Sequence, residues 1–138
     1  MKYLFLTMAF VFGCTLAASS QVQKNIVKSY QYNGAQVLTL AVDGEIEIEE
    51  WDEKIVRLVT TIDAVNFNEP TLKALAEAGR YTASSKDVDG SMILTMLKAQ
   101  KELVIRGTTI EEKYTFKVFV PRGVTVEQVQ HKDVAALF

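Results

Sequence analysis

The chain has a single cysteine, Cys14, and a single histidine, His131. One thiol cannot make an internal disulfide, so packing and hydrogen bonds must hold the fold together. The same scarcity removes the Cys/His clusters that build zinc sites and the Cys–His pairs of thiol enzymes. Two prolines and seven glycines exclude a collagen-like repeat and argue against disorder. Fifteen Lys and Arg stand against 17 Asp and Glu, a net charge of −2, and the basic residues are scattered. Nucleic-acid surfaces need clustered Lys and Arg, so none is expected.

What the chain does have begins at its start. Met1-Lys2 is a short positive lead, Tyr3 to Phe12 is nearly all apolar, and Ala17-Ala18-Ser19-Ser20 supplies small residues for signal-peptidase cleavage. That apolar run falls short of the about 20 residues that span a bilayer. The reading is a cleavable signal peptide over 1–20 and a single β-rich domain over 21–138, without a transmembrane segment after cleavage. Gly13-Cys14 offers a lipoprotein cut site as the secondary reading, but the bulky Phe12 beside the glycine fits that signal poorly. The expected location is the periplasm, the cell surface or the extracellular space.

Past residue 20 the governing pattern is period two, the spacing of side chains that share one face of a strand. Leu38, Leu40 and Val42 alternate with their neighbours, Gly44 turns the chain, and Ile46 and Ile48 alternate with Glu45, Glu47 and Glu49. Trp51-Asp52-Glu53-Lys54 reads as a corner, after which Val56, Leu58, Thr60 and Ile62 share a face. Met92, Leu94 and Met96 follow, then Leu103 and Ile105, then the regular run Tyr114, Phe116, Val118, Val120. Pro121-Arg122-Gly123 closes that run before Val124 and Val126. An earlier segment, Ile26 to Tyr32, ends at the Asn33-Gly34 turn. One stretch reads as helix: Asn68 caps, Glu69-Pro70 suits a first turn, Gly79 suits the end, and Leu72, Leu75, Ala76 and Gly79 share one stripe. Lys73, Glu77 and Arg80 are then expected toward water. The strands lie too close together for βαβ units, which leaves a sandwich, a barrel or a coil of short strands.

Two passages resemble a known family. Val42-Asp43-Gly44-Glu45-Ile46 followed by Trp51-Asp52 and the strand Ile55 to Ile62 is one. Val118-Phe119-Val120-Pro121-Arg122-Gly123-Val124-Thr125-Val126 is the other. Together they resemble the "putative auto-transporter adhesin" and DUF4097-like group of exported bacterial proteins. The resemblance implies an all-β fold, a β-solenoid-like coil of short strands with one short inserted helix. An antiparallel β-sandwich is the alternative. In that group further short coils follow the proline–glycine passage, whereas this chain has only His131 to Phe138 there. The expectation is a shortened end with an open apolar face, covered by a partner chain, by self-association through the C-terminal end, or by a loose tail.

Candidate chemistry is sparse. Glu45, Glu47 and Glu49 project from one strand face about 7 Å apart. Such a flat row does not converge its oxygens as a Ca²⁺ loop does, so a solvated face balanced by Arg57 or Lys117 is the plainer reading. Nor does it supply the two opposed carboxyl groups of a glycosidase. His131 has only Asp133 nearby and reads as a frayed surface residue. Ser84-Ser85-Lys86 lies in a polar stretch leading to Asp87-Val88-Asp89-Gly90, which reads as a turn rather than a nucleophile–base pair or a calcium loop. Tyr114 and Phe116 share a face and belong to the core, while Phe119 and Trp51 are the aromatics expected at the surface.

The sequence therefore points to a non-catalytic exported envelope or surface protein, adhesin-like, with a protein or cell-surface partner and no cofactor or metal. Its interaction surface is expected at Trp51, Phe119, Glu45, Glu47 and Glu49. The alternative is a ligand-binding module that holds a sugar or lipid against the aromatic residues.

Overall fold

A computed structural model describes residues 21–65 and 67–138. The signal-peptide reading of residues 1–20 and the Cys14 anchor lie outside them. The described chain is mainly β. Strand β1 covers Gln21–Gln31, β2 Val37–Ala41, β3 Glu45–Trp51 and β4 Ile55–Val65. Helix α1 (Glu69–Glu77) follows, then β5 (Ser84–Val88), β6 (Ser91–Thr95), β7 (Val104–Ile105) and β8 (Thr108–Thr109). Strands β9 (Glu112–Pro121) and β10 (Thr125–Gln128) and helix α2 (His131–Val134) complete the order.

Alternation builds the first sheet, ordered β1-β4-β9-β3. In β4 the even residues Val56, Leu58, Thr60, Ile62 and Ala64 are all buried, and their odd neighbours face water in part. Phe116, Val118 and Val120 of β9 do the same, in register with Thr60, Leu58 and their neighbours. β1 and β9 flank β4 in antiparallel pairs, and β3 joins β9 in a parallel one. The second sheet, β10-β2-β6-β5, holds two parallel pairs and one antiparallel hairpin. Its inner side chains Leu38, Leu40, Met92 and Leu94 meet those of the first sheet in a common core.

The fold is thus sandwich-like, two mixed sheets that do not close into a barrel. Its parallel pairs distinguish it from a purely antiparallel sandwich, and the pairing does not establish the solenoid form. Strands β2 and β6 are buried on both faces, which explains their near-continuous apolar sequences. Val129, Val134 and Leu137 cover the second face by packing on Ala41 and Ile93. The segment after β10 therefore packs on the sheet through Val134, which is buried, and Val129 and Leu137, which are partly buried, while Phe138 stays exposed. It does not lie loose.

Helix α1 forms as its sequence directs: Asn68 Oδ1 accepts from the Thr71 amide at 2.9 Å, and Leu72 is buried. Two readings are corrected. The polar stretch Ser84–Val88 is a strand, not a loop, because its ladder with β6 holds it while Ser85, Lys86 and Asp87 stay in water. Arg80 is buried instead of facing solvent. The helix ends at Glu77 and Gly79 takes φ +83°, so Arg80 leaves the helical stripe and turns back toward the sheets.

Gly44 lets the chain cross from β2 to β3. Its φ is +153°, and a Cβ there would lie 2.4 Å from the carbonyl oxygen of Tyr114. Backbone strain and the clash against a backbone atom act together, so Gly44→Ala is expected to cost about 2–3 kcal/mol. Gly90→Ala, whose Cβ meets nothing within 4 Å, should cost less. Urea denaturation of the two variants checks the order.

Candidate functional site

The outer face of the β1-β4-β9-β3 sheet is polar and open. Across it run Gln23, Asn25, Val27, Ser29 and Gln31 of β1, then Asp63, Thr61, Val59, Arg57 and Ile55 of β4. Lys113, Thr115, Lys117 and Phe119 of β9 come next, and Glu45, Glu47, Glu49 and Trp51 of β3 close the edge. Side chains knit it crosswise: Gln23 Nε2 donates to Asp63 Oδ1 at 2.9 Å, and Thr61 Oγ1 to Asn25 Oδ1 at 2.8 Å.

The five residues singled out in the sequence share this face, the glutamates spread along β3 and the two aromatics meeting at its far end. Trp51 and Phe119, both half-buried, place their ring centroids 5.1 Å apart. The parallel register of β3 on β9 sets them side by side, with Trp51 opposite Pro121 and Glu49 opposite Phe119. Arg57 Cζ lies 5.0 Å from the Trp51 ring centroid and Lys117 Nζ 5.2 Å from that of Phe119. The result is a strip of two cations around two rings. Lys117 also pairs with Glu49 at 3.1 Å. That hydrogen bond, with the charges of Glu49 and Glu47, raises the Lys117 pKa. Both proposed balancing cations are therefore on this face, but they divide the work: Lys117 answers the carboxylates and Arg57 caps the indole. Glu45 and Glu47 stay exposed.

At one end of the strip a cleft of about 440 Å³ opens between Trp51, Tyr32, Pro121 and a rim of Asp52, Glu53, Lys54 and Arg122. The polar atoms of its aromatic walls are engaged inward. Trp51 Nε1 donates to the Ile55 carbonyl at 3.0 Å, and the Tyr32 hydroxyl donates to the Ala35 carbonyl. Arg122 is held to Asp52 at 2.6 Å, which raises the Arg122 pKa.

Sequence reasoning missed the buried polar cluster. Arg80 Nη2 meets Glu112 Oε1 at 2.6 Å, with little of either side chain exposed. The guanidinium also donates to the carbonyls of Lys98 at 3.1 Å and Lys101 at 2.9 Å, and the Tyr81 hydroxyl donates to Glu112 Oε2. The cluster ties the turn after α1, the 98–101 segment and β9 together. Its only signal in sequence was a pair of tyrosines flanking charged residues, which is too common to read. Burial pushes the Tyr81 and Tyr114 hydroxyls well above their ordinary pKa, reinforced by the Glu112 carboxylate, and burial alone does so for Tyr30.

His131 is not frayed. Its Nδ1 lies 2.6 Å from Thr95 Oγ1, whose proton goes to the Ala41 carbonyl at 2.8 Å. The hydroxyl can then only accept from the ring, which puts the histidine proton on Nδ1. Lys86 reaches the Leu137 carbonyl and is not aligned with Ser84 or Ser85 as a base. Among the described residues no group of three or more His, Cys, Asp or Glu could hold a metal ion. No helix among them is long and apolar enough to cross a membrane.

No protein-family model matches the chain, and no curated protein matches it. Two solved structures are similar to it. One is a "putative cell adhesion protein" from Clostridium sporogenes, at 13% identity and a TM-score of 0.42, over 78% of this chain and 46% of the other. The second is a "putative adhesin" from Bacteroides fragilis, at 13% identity and a TM-score of 0.39, over 78% of this chain and 41% of the other. The chain thus spans less than half the length of either. Scores below 0.5 at this identity carry no argument about function, and the adhesin names belong to those proteins. Membership of the auto-transporter adhesin and DUF4097-like group stays an expectation.

Glu112→Gln leaves the Arg80 charge buried without its partner and is expected to cost about 3–5 kcal/mol, measured by urea denaturation. The three tyrosines predict a pH dependence. Unfolded phenols ionise near pH 10, whereas the folded ones stay neutral. Their contribution is full below pH 10 and falls above it by about 1.4 kcal/mol per pH unit for each tyrosine. Denaturation midpoints between pH 9 and 11, on either side of the ordinary phenol value of 10.0, check the sign.

Proposed function

We propose that this is a non-catalytic, exported, adhesin-like surface protein. It acts through the open outer face of the β1-β4-β9-β3 sheet and recognises a protein or cell-surface partner. The observation that carries the reading is the Trp51–Phe119 pair, held half-exposed between Arg57 and Lys117 on a rigid four-stranded face. Trp and Arg are among the residue types that dominate interface energetics, and a sheet presents them with little entropy left to lose. Glu45, Glu47 and Glu49 supply the acidic border of that surface. Export, by the signal-like residues 1–20, would place it in the periplasm, at the cell surface or outside the cell. Adhesin-like action is also what the family resemblance implies.

The cleft beside Trp51 favours a second reading, a module that holds a sugar or lipid. Its walls are aromatic and its rim carries two acids and two bases, so no net charge selects an ionic ligand.

Trp51 is the only tryptophan, so its fluorescence reports both sites directly. Purified protein is expected to bind isolated cell-envelope material, and Phe119→Ser with Lys117→Glu should weaken binding at least tenfold with the melting temperature little changed. Binding untouched by that pair of substitutions overturns the outer-face reading. A shift in Trp51 emission on titration with neutral oligosaccharides, unaffected by the same pair, favours the cleft instead.

A further inference from the structure

The two edges of the first sheet carry opposite charge. Strand β1, at one edge, has Lys24 and Lys28 and no acidic residue; β3, at the other, has Glu45, Glu47, Glu49 and Glu50 and no basic one. Among the described residues each edge strand pairs with a strand on one side only, so a row of backbone donors and acceptors faces outward from each. Both strands also expose a large apolar side chain, Val27 at 59% and Ile48 at 50%. We infer that copies of this chain add head to tail through this sheet, the β3 edge of one copy pairing antiparallel with the β1 edge of the next.

Strand direction and face select that geometry. β1 and β9 are each antiparallel to β4, and β3 is parallel to β9, so β1 and β3 run the same way. An antiparallel junction turns the second copy by half a revolution about the axis that crosses the strands. That rotation also turns its sheet over. In β1, Lys24, Ile26 and Lys28 lie on the core side, opposite Ile62, Thr60 and Leu58. In β3, Glu45, Glu47 and Glu49 lie on the outer side, with Thr115, Lys117 and Phe119. The inversion brings these two sets to one face.

Spacing then fixes the register. Lys24 and Lys28 are four residues apart, as are Glu45 and Glu49. The register that sets Lys24 opposite Glu49 sets Lys28 opposite Glu45. On the reverse face it sets Val27 opposite Ile46, with Ile48 diagonal to it. Cross-strand pairs of opposite charge and of apolar residues are the units that stabilise such a ladder. Within one chain Lys117 already answers Glu49, so in this register Lys24 adds a second cation to Glu49 and Lys28 meets Glu45.

Symmetric pairing is disfavoured by the same charges. Two β1 edges would oppose lysines and two β3 edges would oppose glutamates. Charged edge strands ordinarily block sheet-to-sheet pairing; here the block applies to like edges and leaves unlike ones free to join. An unlike junction repeats without closing, so it makes linear chains in place of a two-fold dimer. Seven residues of edge bury a small interface, so association is weak and depends on concentration and salt. This inference is independent of what the outer face recognises.

Sedimentation velocity of the purified protein over a range of concentrations tests it. The mean mass is expected to rise past that of a dimer and to fall back in about 1 M salt, where screening acts over about 3 Å. Lys24→Glu with Lys28→Glu should give a monomer, and so should Glu45→Lys with Glu49→Lys. An equimolar mixture of the two variants should assemble again, because each then offers the edge the other lacks. Circular dichroism establishes that both are folded. A monomer at millimolar concentration, a species that stops at the dimer, assembly indifferent to either reversal, or a folded mixture that fails to assemble would each overturn the inference.

Discussion

The antiparallel pair β4·β9 is the constraint on which the rest of the structure depends. Its inner residues, from Val56 to Ile62 and from Phe116 to Val120, are almost wholly buried, and because side chains alternate, that burial dictates what faces outward. A slip of one residue would bring Lys117 and Phe119 into the core and expel Val118. The register that protects the core therefore also places Arg57, Lys117 and Phe119 on the open face, and it positions β3, through β9, so that Trp51 meets Phe119.

The second sheet answers a different demand. β2 and β6 are covered on both sides, by the first sheet and by the segment from Val129 to Leu137. Double burial leaves these strands no functional face, and the fully buried Thr95 finds its partners inside, at Ala41 and His131. At one end of the sandwich the Arg80–Glu112 pair does similar work, drawing carbonyls of Lys98 and Lys101 to one guanidinium. A buried ion pair of this kind holds several segments in one arrangement, though exchanging it for apolar residues need not reduce stability. The chemistry of the molecule is accordingly divided. The enclosed Arg80, Glu112, Tyr81 and Thr95 join segments, and the charges and rings of the candidate surface lie on the first sheet.

Most strands could be located from alternation alone, because a half-buried strand repeats its environment every second residue. Leu58 and Val118 announce their burial through their neighbours. The helix was legible for a comparable reason: Asn68 and Gly79 mark its ends and Leu72 its buried stripe. Strand β5 was not, since Ser84–Val88 owes its structure to a backbone ladder with β6 and shows no apolar pattern. Arg80 was misplaced by continuing the helical stripe one turn too far. His131 could not be matched to Thr95, 36 residues away, without the fold.

Local sequence by itself determined which residues face inward, where the chain turns and how short the supply of reactive side chains is. Period and turn chemistry act over a few residues and need no distant partner. Only the tertiary structure decided strand order, the parallel placing of β3 on β9 and the meeting of Trp51, Phe119, Arg57 and Lys117. Those depend on which strands pair, and the free energy of pairing comes from contacts between residues far apart in the chain.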